Sequence, residues 1–203
     1  MLSSHFPKRQ LVYYYYRKWA ELEEFDLLLN KLRENIRFKR GQNKEASVGI
    51  MDSQSVRWGN NQSLGVDGNK KIKGIKRHIV VDKNGFLLAV MVIVANVHDS
   101  KAAYLLMRVL KELGPSVKVI LADGGYRGAI IERVKKAFGY TIQVVVSAYK
   151  GQGFRPIHKR WIVERTFSWF DYNRRLCSNY ELTFDSAEEM GKIASISLLL
   201  NKS

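Results

Sequence analysis

Residues 117–128, VKVILADGGYRG, place a lone carboxylate, Asp123, behind a short apolar run and in front of two glycines. The run is rich in β-branched residues and too short for a helix, so it reads as a buried parallel strand. Gly124 and Gly125 let the backbone turn sharply and leave space beside Asp123. Beyond them Ile130, Ile131, Val134, Ala137 and Phe138 recur with helical spacing. A strand, a tight turn and a helix in succession constrain the chain to an α/β sheet. They also put Asp123 at the carboxyl end of a strand, where open α/β sheets place their ligands. Asp123 is read as the middle ligand of a metal site; the same position also suits an Asp that only caps the helix after it.

The other elements follow in chain order. Residues 47–51 lead as a strand to Asp52 and on through 53–56, and residues 57–69, rich in Gly and Asn, predict an irregular loop. Residues 70–82 read as a second strand, 83–85 as a hairpin turn marked by Asn84-Gly85, and 86–97 as a third strand. A helix is expected from His98-Asp99-Ser100, with Asp99 or Ser100 as N-cap, an apolar face over 102–113, and Gly114-Pro115 as its stop. After the opening unit come a fifth strand over 140–146, a loop over 147–156 and a helix over 157–175. A last helix over 186–200 has Ser186 and Glu189 in capping-box spacing. Three strands joined by short turns, then two reached through helices, describe an α/β fold with a mixed five-stranded sheet flanked by helices. The order matches the ribonuclease H-like fold.

Residues 1–40 look helical, with Tyr13 to Tyr16, Trp19, Leu22, Phe25, Leu28, Leu29 and Leu32 spaced as an apolar face that packs inward. Their Lys and Arg residues also suit a helical module whose basic side tracks phosphates. Residues 40–45 are polar and break the period, which divides the chain into a helical segment, 1–44, and an α/β domain, 45–203.

Three carboxylates stand at telling places: Asp52 on the first strand, Asp123 ending the fourth, Glu164 on the helix after the fifth. In a ribonuclease H-like arrangement the first and fourth strands are neighbours, and the helix would lay Glu164 over both acids. Carboxylates that close repel one another and take up protons unless a cation neutralises them. Oxygen-only ligands select a hard ion, Mg²⁺ or Mn²⁺, and a pair of such ions suits the cutting and joining of phosphodiesters. On the helix Arg160, Glu164, Ser168 and Asp171 share a face; Arg160 could hold a phosphate beside the metals or form only an i,i+4 pair with Glu164.

Charge points the same way. Lys and Arg number 34 against 19 acids, 34 − 19 = +15, which suits a polyanionic partner such as nucleic acid. Lys70, Lys71, Lys73, Lys76 and Arg77 form the densest basic run, read either as a charged edge strand or as a DNA-tracking surface. His78 reads as a strand residue near phosphate, His98-Asp99 as a helix start rather than a metal or base site, His158 as a minor candidate for DNA contact, Trp161 and Trp169 as core. Cys177 is the single cysteine, which excludes an internal disulfide, reads as a packed thiol and fits a reducing, cytoplasmic compartment. The longest apolar run, 86–97, is too short to span a bilayer as a helix, and the basic, aromatic start lacks the apolar core of a signal peptide.

Five segments in order resemble the bacterial insertion-sequence transposases of the DDE type: Asp52-Ser-Gln-Ser, the strand over 74–82, Ala95-Asn-Val-His-Asp99, Ala122-Asp-Gly-Gly-Tyr-Arg-Gly128, and 160–169, RWIVERTFSW. The likeness is to the branch with a compact catalytic domain and no large β insertion. It implies a ribonuclease H-like core with Asp52, Asp123 and Glu164 as the triad that binds Mg²⁺ or Mn²⁺. It also implies nicking at element ends followed by attack of the freed 3′-hydroxyl on target DNA. The expected partners are the terminal inverted repeats and target DNA, bound by a homodimer in the bacterial cytoplasm at the nucleoid. Arg160, Lys73, Lys76, Arg77, Arg127 and Arg174 are the expected DNA contacts. The wider group's signature of Tyr, two residues, Arg, three residues, Glu, six residues, Lys is met at Arg160 and Glu164; Ile157 replaces the Tyr and Asp171 the Lys, leaving Arg174 or Arg175 for that phosphate contact. Such proteins usually carry more helix before Phe6-Pro7, so residues 1–44 are expected to be a truncated DNA-binding segment. The rival readings are a DNA-binding remnant and a nuclease without strand transfer.

Overall fold

The structure, a computed structural model, describes residues 5–58, 65–114, 116–145 and 160–202. The expected loop over 147–156, together with Ile157 and His158, lies outside the described residues.

Strand β1 (Val48–Arg57) pairs antiparallel with β2 (Gly74–Val81), which pairs antiparallel with β3 (Leu87–Val94). On its other side β1 runs parallel to β4 (Val119–Ala122), and β4 parallel to β5 (Thr141–Val144). The strand order β3-β2-β1-β4-β5 is the mixed sheet of a ribonuclease H-like fold, as the order of elements predicts. The β2–β3 turn is set by Gly85, whose φ of +83° only glycine adopts without strain. A Cβ there would also stand 2.9 Å from Thr166 Oγ1.

The sheet is covered on both faces, and two of its strands, β3 and β4, are apolar throughout. On one face α3 (Asp99–Glu112) and α4 (Ile130–Phe138) bury Ala102, Ala103, Leu106, Leu110 and Val134 against Met51, Val80, Leu88 and Ile120. On the other, α2 (Glu24–Lys39), α5 (Trp161–Asp171) and α7 (Phe184–Leu200) bury Leu29, Ile36, Val163, Phe167, Phe170 and Leu199 against Ile50, Ile79, Val81 and Val90. A short helix, α6 (Arg174–Cys177), follows α5, so the helix expected to run to 175 ends at Asp171.

Polar side chains tie α2 to this body. Arg37 is buried against a fully buried Asp82, and its other nitrogens donate to the carbonyls of Asn43, Lys44 and Glu45. Asp82 also accepts the amides of Asn84 and Phe86 and so fixes the hairpin turn. Arg33 donates to Leu87 O at 2.8 Å, and Lys192 bridges Asp26 of α2 at 2.6 Å.

Several local expectations are corrected. Helix α1 (Arg9–Glu21) buries none of its residues; Tyr13, Tyr14, Tyr15 and Trp19 are exposed rather than packed inward, although Tyr16 and Trp19 lie near Phe25. The N-cap of α3 is His98, whose Nδ1 accepts the Ser100 amide, not Asp99 or Ser100. Thr183, not Ser186, caps α7 by accepting the Ser186 amide. Cys177 is exposed, its thiol donating to Arg174 O, rather than packed. Trp161 is exposed and Trp169 half-buried; they flank the Arg165 guanidinium at 4.7 and 4.8 Å rather than filling the core.

Candidate active site

Asp52 lies two residues beyond Ile50 on β1, and Ile50 packs into the layer that contains α5. With a side-chain period of two, Asp52 faces that same layer. The parallel pairing of β1 and β4 runs through Ile50 opposite Leu121. Asp52 and Asp123 stand two residues further along their chains, so they leave adjacent strands side by side. Asp123 Oδ1 accepts the Gly125 amide at 2.9 Å and caps a single 3-10 turn, Gly124–Tyr126, which leaves Oδ2 for the site. The capping role and a site role thus fall to different oxygens of one carboxylate. A Cβ on residue 125 would stand 3.1 Å from Asp123 Oδ1, so glycine leaves that oxygen room.

Glu164 lies in the first turn of α5 and is the most open of the three, at 55% side-chain exposure against 13% for Asp52. Its helix is anchored to the hairpin: Thr166 Oγ1 donates to Gly85 O and Arg165 Nη2 to Asn84 O, both at 2.9 Å. Arg160, at the N-cap of α5, joins all three acids. Its Nη2 is 3.8 Å from Asp52 Oδ2 and 3.5 Å from Asp123 Oδ2, and its Nε is 3.6 Å from Glu164 Oε1. Charge-assisted hydrogen bonds are shorter, about 2.7–2.9 Å. Arg160 Nε is buried without a hydrogen-bond partner. The guanidinium neutralises the acids electrostatically but ligates none of them.

Burial pushes the Asp52 carboxyl up to about 6, and the nearby Asp123 adds to the rise; the Ser53 amide, donating at 2.7 Å, and Arg160 act against it. An acid so placed favours a further cation. The donor chemistry, three carboxylates, fits a hard divalent ion. Among the described residues no group of three acidic, His or Cys side chains stands close enough to share an ion.

The basic run does not form one surface. Strand β2 lies inside the sheet rather than at its edge, so its charged residues are enclosed. Arg77 is fully buried: it donates to Gln54 Oε1 and Leu176 O and lies over the Phe170 ring, and burial lowers its pKa to about 10. Lys76 is buried between Asp67 at 3.5 Å and Asp99 at 3.1 Å. Both are expected from sequence to face DNA, and both side chains are instead enclosed within the protein in this structure. His78 is likewise fully buried, and desolvation lowers its pKa to about 4, which keeps it neutral at pH 7. Lys73, Arg127 and Arg174 are exposed. Asp171, at the signature's Lys position, accepts a hydrogen bond from Gln54 Nε2 at 3.0 Å. Arg175 is held by Glu181, whereas Arg174 is exposed.

Sequence reasoning missed a groove of about 520 Å³ where the loop after Asp123 meets α3 and α4. Lys101, Arg127 and Arg133 line it together with Tyr104 and Leu105, and no acid does. Lys101 and Arg133 look like ordinary helix-surface charges in sequence; only the packing of α3 beside α4 brings them to Arg127.

Residues 43–200 match the model of the transposase DDE domain family, a span that contains all three acids and Arg160. A protein of Burkholderia cepacia described as a candidate transposase for insertion sequence element IS402 is 29% identical over 152 residues, covering 67% of this chain and 66%, just under two thirds, of that protein. Among solved structures, the catalytic core domain of BIV integrase is similar at a TM-score of 0.47 and 16% identity, covering 73% of this chain and 82% of that one. The catalytic domain of Mos1 mariner transposase is similar at 0.43 and 7%, covering 89% and 90%. At these scores the structural likeness is coarse, and the fold assignment stands on strand order and pairing. The family match spans more than three quarters of the residues and takes in the sheet, the three converging acids and the helix over them: the chain belongs to the transposase DDE domain family.

Proposed function

We propose that this chain is the catalytic domain of a divalent-metal-dependent DNA transposase, and that Asp52, Asp123 and Glu164 are its metal ligands. The observation that carries this reading is the convergence of three acids, from β1, β4 and α5, on one guanidinium within 4 Å. Bound divalent ions, Mg²⁺ or Mn²⁺, would supply charge neutralisation at the phosphorus and activation of the attacking oxygen. Asp52 would hold them from the central strand, Asp123 from the end of β4 and Glu164 from the helix above. In the first reaction a water oxygen attacks the phosphorus at an element end, and the 3′-oxygen leaves as a free hydroxyl. In the second that hydroxyl attacks a target phosphodiester, forming one bond as another breaks.

Charge distribution supports a DNA partner. The basic groove at Lys101, Arg127 and Arg133 begins four residues after Asp123, within about 14 Å of extended chain. A strand crossing the carboxylates could therefore lay neighbouring phosphates in it. Lys73 and Arg174 add exposed cations. A separate groove of about 290 Å³ near β3 and α7 carries Glu23, Asp26, Glu112, Asp185, Glu188 and Glu189 against one cation, Lys192, and would repel DNA. No helix among the described residues is long and apolar enough to cross a membrane. Assembly on DNA as a homodimer and work at the nucleoid belong to the same reading.

The test is cleavage and joining of DNA carrying the inverted repeats that flank the reading frame, with Mg²⁺ or Mn²⁺. Asp123→Asn is expected to abolish both while leaving DNA binding intact. Normal cleavage by that variant would refute the assignment.

A further inference from the structure

The guanidinium at the centre of the carboxylates is the feature that the proposed chemistry does not absorb. Three acids and one Arg leave the cluster two negative charges in excess, so Arg160 is the partial counter-ion that lets neighbouring acids stay ionised. Arginine does not give up its proton at any ordinary pH. It can therefore relinquish this role only by moving. Its hold is weak: the three approaches are 3.5–3.8 Å, and Nε makes no hydrogen bond. The side chain is 30% exposed, so a way out to solvent is open.

Resting on the reading of these carboxylates as the metal site, we propose that Arg160 is the built-in stand-in for a divalent cation. In the free protein it occupies the cation's place. When the ion binds, Arg160 swings out and takes a DNA phosphate, for which its planar fork of donors is suited. A guanidinium and a divalent ion cannot share the space between the same oxygens without strong repulsion. A phosphate that draws Arg160 outward therefore favours the ion, and the ion, by expelling Arg160, favours the phosphate. Because linkage is reciprocal, each ligand tightens the other by the same factor. Arg160 is then a coupling residue: it weakens ion binding until DNA is present.

Mn²⁺ binding to the full chain, followed by the electron paramagnetic resonance of the free ion, tests this without reference to activity. Wild type, Arg160→Gln, Arg160→Lys and Asp123→Asn are compared with and without a short DNA duplex, their folding checked by thermal melts. Without DNA, Arg160→Gln is expected to bind Mn²⁺ about tenfold more tightly than wild type, a difference of about 1.4 kcal/mol. Arg160→Lys, which keeps the charge, should stay near wild type. The duplex should tighten Mn²⁺ binding by wild type and leave Arg160→Gln unchanged. Equal or weaker Mn²⁺ binding by Arg160→Gln in the absence of DNA, where that binding still depends on Asp123, overturns the stand-in role alone. Mn²⁺ binding that Asp123→Asn leaves intact brings down the carboxylate site as well.

Discussion

Two arginines in this molecule face acids, and they do so in opposite ways. Arg37 is buried with Asp82, and each guanidinium nitrogen and each carboxylate oxygen of that pair has a partner: backbone carbonyls take Nε and Nη2, while the amides of Asn84 and Phe86 and the Asn84 side chain donate to the carboxylate. Arg160 faces three acids, makes no hydrogen bond to any of them and is partly open to solvent. The first arrangement is complete and joins α2 to the β2–β3 hairpin. The second is incomplete in charge and in geometry, which suits the cation-holding role proposed for these acids. Substitutions at the two places should therefore have opposite profiles, one in stability and one in chemistry.

The largest effect belongs to the site. Asp123→Asn and Glu164→Gln should lower DNA cleavage by about a thousandfold or more, the scale of losing several kcal/mol of charge stabilisation. Their unfolding free energies in urea should stay within about 1 kcal/mol of wild type. Arg37→Met should do the reverse. It leaves Asp82 charged and fully buried without its partner, at a cost of about 3–5 kcal/mol seen in the same urea titration. A site variant that unfolds the protein, or an Arg37→Met protein as stable as wild type, would erase the contrast.

Proton linkage sharpens it. The Asp52 carboxyl holds its proton more tightly folded than unfolded, since its pKa rises to about 6 through burial. The folded state then binds more protons across this window, and stability falls as pH rises from about 4 to 6. Asp52→Asn should remove up to about 3 kcal/mol of that fall. Glu188, pushed up to about 7 by burial, adds a loss in the same direction that Glu188→Gln should remove. Thermal melts from pH 4 to 8 measure both. The smallest effect is in DNA binding: neutralising Lys101 and Arg133 together should lower the slope of log affinity against log salt by about 2. The same change at the exposed pair Lys135 and Lys136, which do not line the groove, should alter it less.

Much of this was legible in sequence. The unit around Asp123, the Asn84-Gly85 hairpin and the five-strand order follow from hydrophobic period and turn chemistry; that β1 and β4 are neighbours comes from the ribonuclease H-like arrangement which that order matches. The basic run was not. Lys76 and Arg77 sit in a strand enclosed on both faces, and their charges are met by Asp67, Asp99, Gln54 and Leu176 O, partners brought in from distant positions. Local sequence cannot tell such a strand from a charged edge. Arg160 was legible as the neighbour of Glu164 one helical turn away, but not as the shared partner of Asp52 and Asp123, because that depends on how α5 lies over the sheet. The aromatic residues of α1 carry the spacing of a packed face, yet α1 touches the body mainly through α2 and leaves most of them open.

The measurement closest to the central claim is anomalous diffraction from crystals of the chain grown with Mn²⁺ and a short DNA duplex. A Mn²⁺ peak bounded by Asp52, Asp123 and Glu164, with the Arg160 side chain withdrawn from them, is the expected result. Mn²⁺ bound elsewhere, with Arg160 still lodged among the three acids, would contradict it.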